Sequence, residues 1–303
     1  MTRWTAADIP DQSGRTIVVT GANAGLGRQV ATELARHGAS VVLACRNTDK
    51  AEAAAAGIRQ LAPAARVTVE QLDLSDLGSV EAFAKTFSAS HDRLDALVNN
   101  AGLMAVDQSR TADGFEMQLG VNHLGHFALT ARLLPVLLAT PGSRVATMSS
   151  MGHRGGHLEI DDLMFARRGY QRWGAYFQSK LANLLFTAEL QRRLALAGGP
   201  TIAVTAHPGG TRTDLGSEGQ SLSNRISSSL AMALAQPVEV GALPMLRAVT
   251  APDVRGGQFY GPRFVAFGYP VLETPSRRAR NADDARALWE ASVELTGLDP
   301  LPA

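Results

Sequence analysis

Short apolar runs alternate with helix-patterned segments along most of the chain. The runs are rich in β-branched residues and show no polar alternation, which is typical of strands buried on both faces of a parallel sheet. We predict six of them, at residues 16–20, 40–44, 66–70, 94–98, 143–148 and 201–205. Predicted helices occupy residues 25–37, 49–61, 76–90, 114–139 and 174–196. Because parallel strands need right-handed crossovers, this order predicts an α/β fold with a doubly wound parallel sheet and helices on both faces.

The chain has 303 residues and no Pro- or Ser-rich linker, so we predict a single domain spanning residues 1–303. Hydrophobic residues make up 45% and charged residues 19%, which excludes a mainly disordered chain. A net charge of +1 offers no electrostatic surface for nucleic acid or an anionic membrane. Two long connections, residues 151–173 and 209–237, are predicted to be substrate loops. Their apolar side chains, among them Met151, Phe165 and Trp173, predict an apolar pocket.

Cysteine content and hydropathy bear on the compartment. Cys45 is the single cysteine, which precludes an internal disulfide and fits a reducing compartment. Residues 1–14 carry Asp8 and Asp11 and lack the apolar core of a signal peptide. No stretch reaches the roughly 20 uninterrupted apolar residues of a membrane-spanning helix. We therefore expect a cytoplasmic protein without a membrane partner.

A glycine-rich turn follows the first predicted strand. It reads TGANAGLG over residues 20–27 and places Gly21, Gly25 and Gly27 before a helix. Glycines there permit close approach of a pyrophosphate, which the helix N-terminus also attracts. NAD sites carry a carboxylate about 20 residues further on, whereas this chain has Arg46 after the second strand. A guanidinium suits a 2′-phosphate, so NADP(H) is the preferred cofactor, and use of NAD(H) stays open.

Tyr176 and Lys180 lie four residues apart in a predicted helix, so their side chains share one face. A neighbouring ammonium favours the phenolate and is expected to lower the pKa of Tyr176 from its ordinary value of about 10. Such a tyrosine can exchange a proton with a carbonyl or alcohol oxygen. Ser150 ends the fifth predicted strand and Asn122 lies in the long helix after the fourth. All four residues map to the same edge of the sheet.

Taken in order, these motifs strongly resemble the short-chain dehydrogenase/reductase family. The matching elements are TGANAGLG, Asp73-Leu74, NNAG at residues 99–102, Asn122 in VNHLGHF, Ser149-Ser150, Tyr176 and Lys180 in YFQSK, and HPGGTRT at residues 207–213. The segments HLEIDDL, AYFQSKLANLLF and AVTAHPG are most similar to the retinol-dehydrogenase-like branch and its bacterial relatives. The resemblance implies a Rossmann-like, nucleotide-binding oxidoreductase that acts on CH-OH donors.

The resemblance also implies a role for each matching residue. Tyr176 is the general acid for carbonyl reduction and the base for alcohol oxidation, while Lys180 lowers its pKa and holds the nicotinamide ribose. Ser150 hydrogen-bonds the substrate oxygen, and Asn122 supports a water in the proton relay. The predicted catalytic residues are thus Asn122, Ser150, Tyr176 and Lys180. The predicted cofactor-binding residues are Gly21, Asn23, Gly25, Leu26, Gly27, Arg46, Asp73, Leu74, Asn99, Ala101, Gly102, Tyr176, Lys180, Pro208, Gly209, Thr211 and Thr213.

The sequence thus predicts an NADP(H)-dependent oxidoreductase that interconverts a carbonyl and an alcohol on an apolar small molecule by hydride transfer. The alternative is a non-catalytic nucleotide-binding or scaffold protein that retains the fold; the presence of all four predicted catalytic residues argues against it. Family members pair through their long helices, though not uniformly, so a homodimer or homotetramer stays open. His123 and His126 lack a carboxylate or cysteine to complete a metal site, so no metal is predicted. Residues 283–295 predict an amphipathic helix with Trp289 in the core or a subunit contact.

Overall fold

One eight-stranded sheet forms the centre of the molecule. The computed structural model describes residues 3–211 and 236–301. The strands are β1 (Thr16–Thr20), β2 (Ser40–Cys45), β3 (Val67–Gln71), β4 (Ala96–Asn99), β5 (Arg144–Met148), β6 (Ile202–Ala206), β7 (Phe259–Pro262) and β8 (Pro270–Leu272). Their order is β3-β2-β1-β4-β5-β6-β7-β8, with β8 antiparallel to β7 and the other pairs parallel. This topology confirms the predicted α/β fold with a doubly wound parallel sheet.

Helices cover both faces of the sheet. The longer ones are α1 (Gly25–Arg36), α2 (Thr48–Leu61), α3 (Leu77–Ser90), α4 (Gly125–Ala139), α5 (Arg172–Leu196), α6 (Leu243–Thr250) and α7 (Ala282–Thr296). Shorter helical turns lie at Ala6–Asp8, Met117–Leu119, Gly120–Leu124, Met151–Gly155, Ile160–Asp162, Val238–Gly241 and Arg278–Arg280. Within the described parts of the chain, no helix has both the length and the apolar character that crossing a bilayer requires.

Side chains along each central strand alternate between two hydrophobic cores. On β1, Ile17 and Val19 belong to the core that includes α1, α2 and α6. Val18 belongs to the core that includes α3, α4 and α5. Every residue of β1 is buried. Because neither face of such a strand meets water, its sequence is a continuous apolar run rather than an alternating pattern.

The C-terminal helix α7 packs against α4 and α5. The Trp289 ring centroid lies 5.1 Å from that of Phe127 and 6.1 Å from that of Phe186. The guanidinium carbon of Arg193 lies 4.6 Å from the Trp289 ring centroid. The helix predicted at residues 283–295 is therefore present, and Trp289 is buried in the core.

Two parts of the fold differ from the sequence prediction. The helix predicted over residues 114–139 is interrupted, because a short α-helical turn and the π-helical turn Gly120–Leu124 precede α4. Strands β7 and β8 were not predicted. They are short and contain Gly261, Pro262 and Pro270, residue types that weaken a strand pattern. Pro270 is tolerated because β8 is an edge strand.

Candidate active site

The glycine-rich turn between β1 and α1 leaves its backbone accessible, and we call this surface the glycine cradle. Gly21 and Gly25 have φ angles of 65° and 53°, in the left-handed region that favours glycine. A Cβ atom on Gly27 would lie 2.4 Å from the Gly21 carbonyl oxygen, so a larger residue does not fit. Ala24, the N-cap of α1, provides no side-chain hydrogen bond to the helix. The first amides of α1 are therefore available to an anion such as a pyrophosphate.

This cradle opens into a cleft of about 700 Å³ at the carboxyl ends of the strands. The predicted cofactor-binding residues that line the cleft are Gly21, Asn23, Gly25, Leu26, Gly27, Arg46, Asp73, Leu74, Ala101, Gly102, Tyr176, Lys180 and Pro208. Lining residues that the sequence analysis missed include Arg28, Asn47, Lys50, Asn100, Leu103, Met104, Val106, Val121 and Met148. One continuous cleft thus joins the glycine turn to Tyr176 and Lys180, and its size and polar anchor points suit a dinucleotide.

The Asn99 side chain does not reach this cleft, and the contact of Asn99 with a cofactor stays a prediction. Asn99 is fully buried at the end of β4, and its Nδ2 donates to Thr130 Oγ1 of α4 at 3.1 Å. Side chains alternate along a strand, so Asn99 points into the helix layer. Asn100 lines the cleft instead, and its Nδ2 donates to the Thr20 carbonyl at 2.8 Å. The NNAG motif therefore meets the cleft through its second asparagine.

The segment after β6 reaches the cleft through Pro208. Gly209 and Thr211 are not among the residues that line the cleft, because they pack against neighbouring backbone, and their contact with a cofactor stays a prediction. Gly209 has a φ of 68°, and a Cβ atom there would lie 2.5 Å from the Ala266 carbonyl oxygen. Thr211 Oγ1 donates to the Pro208 carbonyl at 2.7 Å. Thr213 lies outside the described residues.

Cationic side chains line the cleft near the end of β2. They are Arg46, which follows β2, Arg28 of α1 and Lys50 of α2. The carboxylate of Asp73, which also lines the cleft, accepts hydrogen bonds from the Ser75 amide at 2.9 Å and the Ser75 hydroxyl at 2.6 Å. Asp73 thus fixes the turn after β3. The three cations make this part of the cleft suitable for a phosphate.

Three of the four predicted catalytic side chains meet where α5 begins. Ser150, which follows β5, lies close enough to Tyr176 to act on the pKa of its phenol as a hydrogen-bonding partner. Lys180 Nζ lies 5.8 Å from the Tyr176 ring centroid and donates to the Met148 carbonyl at 3.4 Å. Tyr176 is 9% exposed and Lys180 is 4% exposed. A phenol, an ammonium and a hydroxyl therefore share one nearly dry site.

Burial dominates the ionisation of this group. Desolvation raises the pKa of Tyr176, and the hydrogen bond with Ser150 opposes that increase. Desolvation also lowers the pKa of Lys180 to about 8. The predicted net decrease of the Tyr176 pKa by Lys180 is therefore wrong for this geometry, because removal of the phenol from water outweighs its polar neighbours.

Asn122, the fourth predicted catalytic residue, holds two elements together. Its Oδ1 accepts from the Leu103 amide at 2.7 Å, and its Nδ2 donates to the Leu103 carbonyl at 3.0 Å. Nδ2 also donates to Ser179 Oγ at 2.8 Å. The π-helical turn carries Asn122. Asn122 thus joins a cleft-lining loop to α5, one residue from Lys180.

His126 connects Asn122 to the glycine turn, a link that the i, i+4 spacing of the two residues could have suggested. His126 Nδ1 lies 3.1 Å from the Asn122 carbonyl, which can only accept, so Nε2 accepts from Thr20 Oγ1 at 2.9 Å. Thr20 Oγ1 in turn accepts from the Asn100 and Ala101 amides, both at 2.9 Å. Burial lowers the pKa of His126 to about 4, so the ring is neutral near pH 7. The residues that the structure describes hold no group of three or more His, Cys, Asp or Glu placed to bind a metal.

The structure describes the first of the two predicted substrate loops and little of the second. Phe165, predicted in the apolar pocket, is buried, and the Arg168 guanidinium carbon lies 3.9 Å from its ring centroid. Its place in a substrate pocket stays a prediction. Trp173 is 49% exposed, and its ring centroid lies 6.0 Å from that of Tyr176. Most of the second loop lies outside the described residues.

Comparison with known proteins identifies the family. A sequence profile described as short chain dehydrogenase matches residues 15–222. The chain belongs to this family. It is 42% identical to human retinol dehydrogenase 13 over 301 residues, which cover 97% of this chain and 87% of that protein. It is 41% identical to human retinol dehydrogenase 12 over 287 residues, which cover 94% and 87%. This short-chain dehydrogenase is a member of the retinol-dehydrogenase-like branch.

Solved structures agree with this assignment. A crystal structure of an uncharacterized protein from Mycobacterium paratuberculosis has a TM-score of 0.84 and 46% identity, with 100% of both chains covered. A short chain dehydrogenase from Shigella flexneri, complexed with NADP, has a TM-score of 0.62 and 26% identity, with 82% and 97% covered. The present short-chain dehydrogenase is an NAD(P)-dependent oxidoreductase that acts on alcohol and carbonyl groups of a small molecule.

Proposed function

We propose that this short-chain dehydrogenase uses NADP(H) to interconvert a carbonyl and an alcohol on an apolar substrate, with Tyr176 as general acid and base. The observation that carries the proposal is the pairing of Tyr176 with Ser150 beside Lys180, at one end of a cleft whose other parts are the glycine cradle and a cationic group. A proton donor and a dinucleotide-sized cleft thus meet at one point.

Arg46, Arg28 and Lys50 support the choice of NADP(H) over NAD(H). All three line the cleft near the end of β2, where an adenosine 2′-phosphate would be held, while the carboxylate of Asp73 is engaged by Ser75. The glycine cradle and the α1 amides would hold the pyrophosphate. Pro208, Tyr176 and Lys180 would enclose the nicotinamide riboside. The nicotinamide, when bound, supplies or accepts the hydride.

The chain's own groups move and hold the proton. In the reductive direction, Tyr176 donates its phenolic proton to the substrate oxygen while the Ser150 hydroxyl donates a hydrogen bond to the same atom. The buried Lys180 ammonium stabilises the phenolate that remains. Oxidation runs these steps in reverse. Asn122 keeps Leu103 and Ser179 in place, and a water relay through Asn122 stays a prediction.

Apolar side chains support an apolar substrate. Leu103, Met104, Val106, Val121 and Met148 line the cleft. The exposed indole of Trp173 lies next to Tyr176. A bulky apolar carbonyl compound would therefore be desolvated beside Tyr176, whereas a small charged one would lose its hydration without a partner.

The decisive experiment is an assay of NADPH and NADH oxidation with a panel of aldehydes and ketones of increasing size. We expect turnover that prefers NADPH and bulky apolar carbonyls and is lost in Tyr176→Phe. Arg46→Ala should reduce the preference for NADPH over NADH by about tenfold or more. The matched control Arg286→Ala removes a guanidinium that pairs with Asp283 on α7 and should change nothing.

Two results would contradict the proposal. Equal use of NADH and NADPH by the parent protein and by Arg46→Ala would show that Arg46 does not bind the 2′-phosphate of NADP(H). NADPH binding without turnover of any carbonyl, with Tyr176→Phe identical to the parent, would favour a non-catalytic nucleotide-binding protein.

A further inference from the structure

A cluster of three hydrogen-bonded side chains, one of them fully buried, lies next to Pro208. It consists of His207, which follows β6, Glu273, which follows β8, and Arg154 in the turn after Ser150. His207 Nε2 lies 2.6 Å from Glu273 Oε2, and Arg154 Nη2 contacts Glu273 Oε1. His207 is fully buried, and the Glu273 side chain is 12% exposed. A single carboxylate therefore joins two segments that border the candidate active site.

The hydrogen bonds of His207 indicate which ring nitrogen carries the proton. The Gly209 amide donates to His207 Nδ1 at 3.2 Å, so this nitrogen carries no proton. The ring proton is therefore on Nε2, from where it is donated to Glu273. A carboxylate matches this arrangement because it accepts from the imidazole and from the guanidinium at the same time.

The fold leaves space for this contact and reinforces it. A Cβ atom on Gly261 of β7 would lie 2.1 Å from Glu273 Oε2 and 2.2 Å from His207 Nε2. The loop between β7 and β8 also holds the next residues, because the Gly210 amide donates to the Ala266 carbonyl at 2.7 Å. Strands β7 and β8 and the loop between them thus hold residues 207–210 in place.

We propose that Glu273 is a positioning residue that holds Pro208 against the nicotinamide end of the cleft through His207, and ties it to the Ser150 turn through Arg154. The inference rests on the proposed function, since it takes Pro208 as part of the cofactor site. Glu273 itself does not line the cleft. Its effect is therefore on the geometry with which the cofactor is held, and not on the proton transfer.

The ionisation of Glu273 agrees with this role. Burial raises its pKa, but the hydrogen bonds from His207 and Arg154 and the charge of Arg154 outweigh burial, and the net pKa is lowered. His153, whose Nδ1 donates to the Ser150 carbonyl at 2.7 Å, is electrostatically coupled to Glu273 as well. The carboxylate thus stays charged at neutral pH, as both of its contacts require.

Three variants test the proposal. Glu273→Ala removes both contacts, Glu273→Gln keeps one acceptor for His207 and turns an amide toward Arg154, and Gly261→Ala separates the pair without altering either partner. We expect Glu273→Ala and Gly261→Ala to raise the dissociation constant and KM of NADPH about tenfold, with kcat changed less than about threefold. Glu273→Gln should lie between Glu273→Ala and the parent. Glu290→Gln, an exposed carboxylate of α7, is the matched control.

Binding of NADPH, followed by its fluorescence, separates the possible outcomes. Unchanged NADPH affinity in Glu273→Ala, with a normal thermal unfolding midpoint, overturns the positioning role and leaves the proposed function intact. A parent protein that does not bind NADPH overturns both. If Glu273→Ala fails to fold, Gly261→Ala and Glu273→Gln decide. Equal losses of affinity for NADPH and for the carbonyl substrate in those variants would indicate general damage and contradict the proposal.

Discussion

Replacing Lys180 by methionine should abolish turnover and stabilise the protein. The ammonium is almost fully buried, and it donates a hydrogen bond to the Met148 carbonyl at 3.4 Å. After the substitution, the Met148 carbonyl still accepts a hydrogen bond from Asn183 Nδ2 at 2.9 Å. Methionine has nearly the same length as lysine and needs no partner, so Lys180→Met removes a buried charge without opening a large cavity.

The size of the effect follows from the pKa of Lys180. Burial lowers that pKa from its ordinary value of 10.5 to about 8. At about 1.4 kcal/mol per pH unit, this difference corresponds to a cost of roughly 3 kcal/mol for keeping the ammonium in the folded protein at neutral pH. After allowance for the lost hydrogen bond, we expect Lys180→Met to raise the free energy of unfolding by about 1–3 kcal/mol at pH 7.

The stability difference between Lys180→Met and the parent should depend on pH. Between about pH 8 and 10.5 the unfolded chain binds more protons at Lys180 than the folded chain does, so the stability of the parent rises with pH in that window. The advantage of Lys180→Met should be complete below pH 8 and should shrink toward pH 10.5. Urea unfolding of both proteins at several pH values from 7 to about 10 measures it. A variant that is less stable at pH 7, or a difference that does not fall with pH, would refute this reasoning.

Three further predictions concern residues at the cleft and in the core. Gly27→Ala should lower NADPH affinity at least tenfold and destabilise the fold by about 1–3 kcal/mol, because the added Cβ would lie 2.4 Å from the Gly21 carbonyl oxygen. Fluorescence titration with NADPH measures the first effect, and thermal unfolding measures the second. Trp289→Ala should cost about 3–5 kcal/mol in urea unfolding, since the indole packs 5.1 Å from Phe127; a loss below about 1 kcal/mol would contradict that packing. Cys45 should react with an aromatic disulfide reagent at pH 8 about a hundredfold more slowly than an exposed thiol, because burial raises its thiol pKa to about 11; a reaction as fast as that of free cysteine would disprove it.

The sequence analysis succeeded where one local rule decides the structure. The apolar run of β1, the glycines after it and the four-residue spacing of Tyr176 and Lys180 each have one physical solution, and the fold places all of them as expected. Local patterns are insufficient where contacts from distant segments decide which side chain reaches the cleft. Asn99 and Asn100 are neighbours of identical type, and the pleat of β4 alone determines which of them reaches the cleft.

The same limit applies to the ionisable groups and the edge strands. The predicted decrease of the Tyr176 pKa considers only its neighbour Lys180. The direction of the pKa shift depends instead on how much water all the surrounding elements exclude. Strand β8 is three residues long and starts with proline, so its sequence carries almost no strand signal. Glu273 follows β8. Its contact with His207 forms only because β8 pairs with β7, and no local sequence pattern indicates that contact.

The docking of α7 has a consequence for how the chain folds during synthesis. Phe127 and Phe186 belong to the helical layer that forms from the first parts of the chain, but the indole that covers them comes from Trp289, which follows every strand of the sheet. A nascent chain that has already assembled its sheet still exposes this aromatic surface on the ribosome. Chaperone contact should therefore concentrate there until α7 emerges.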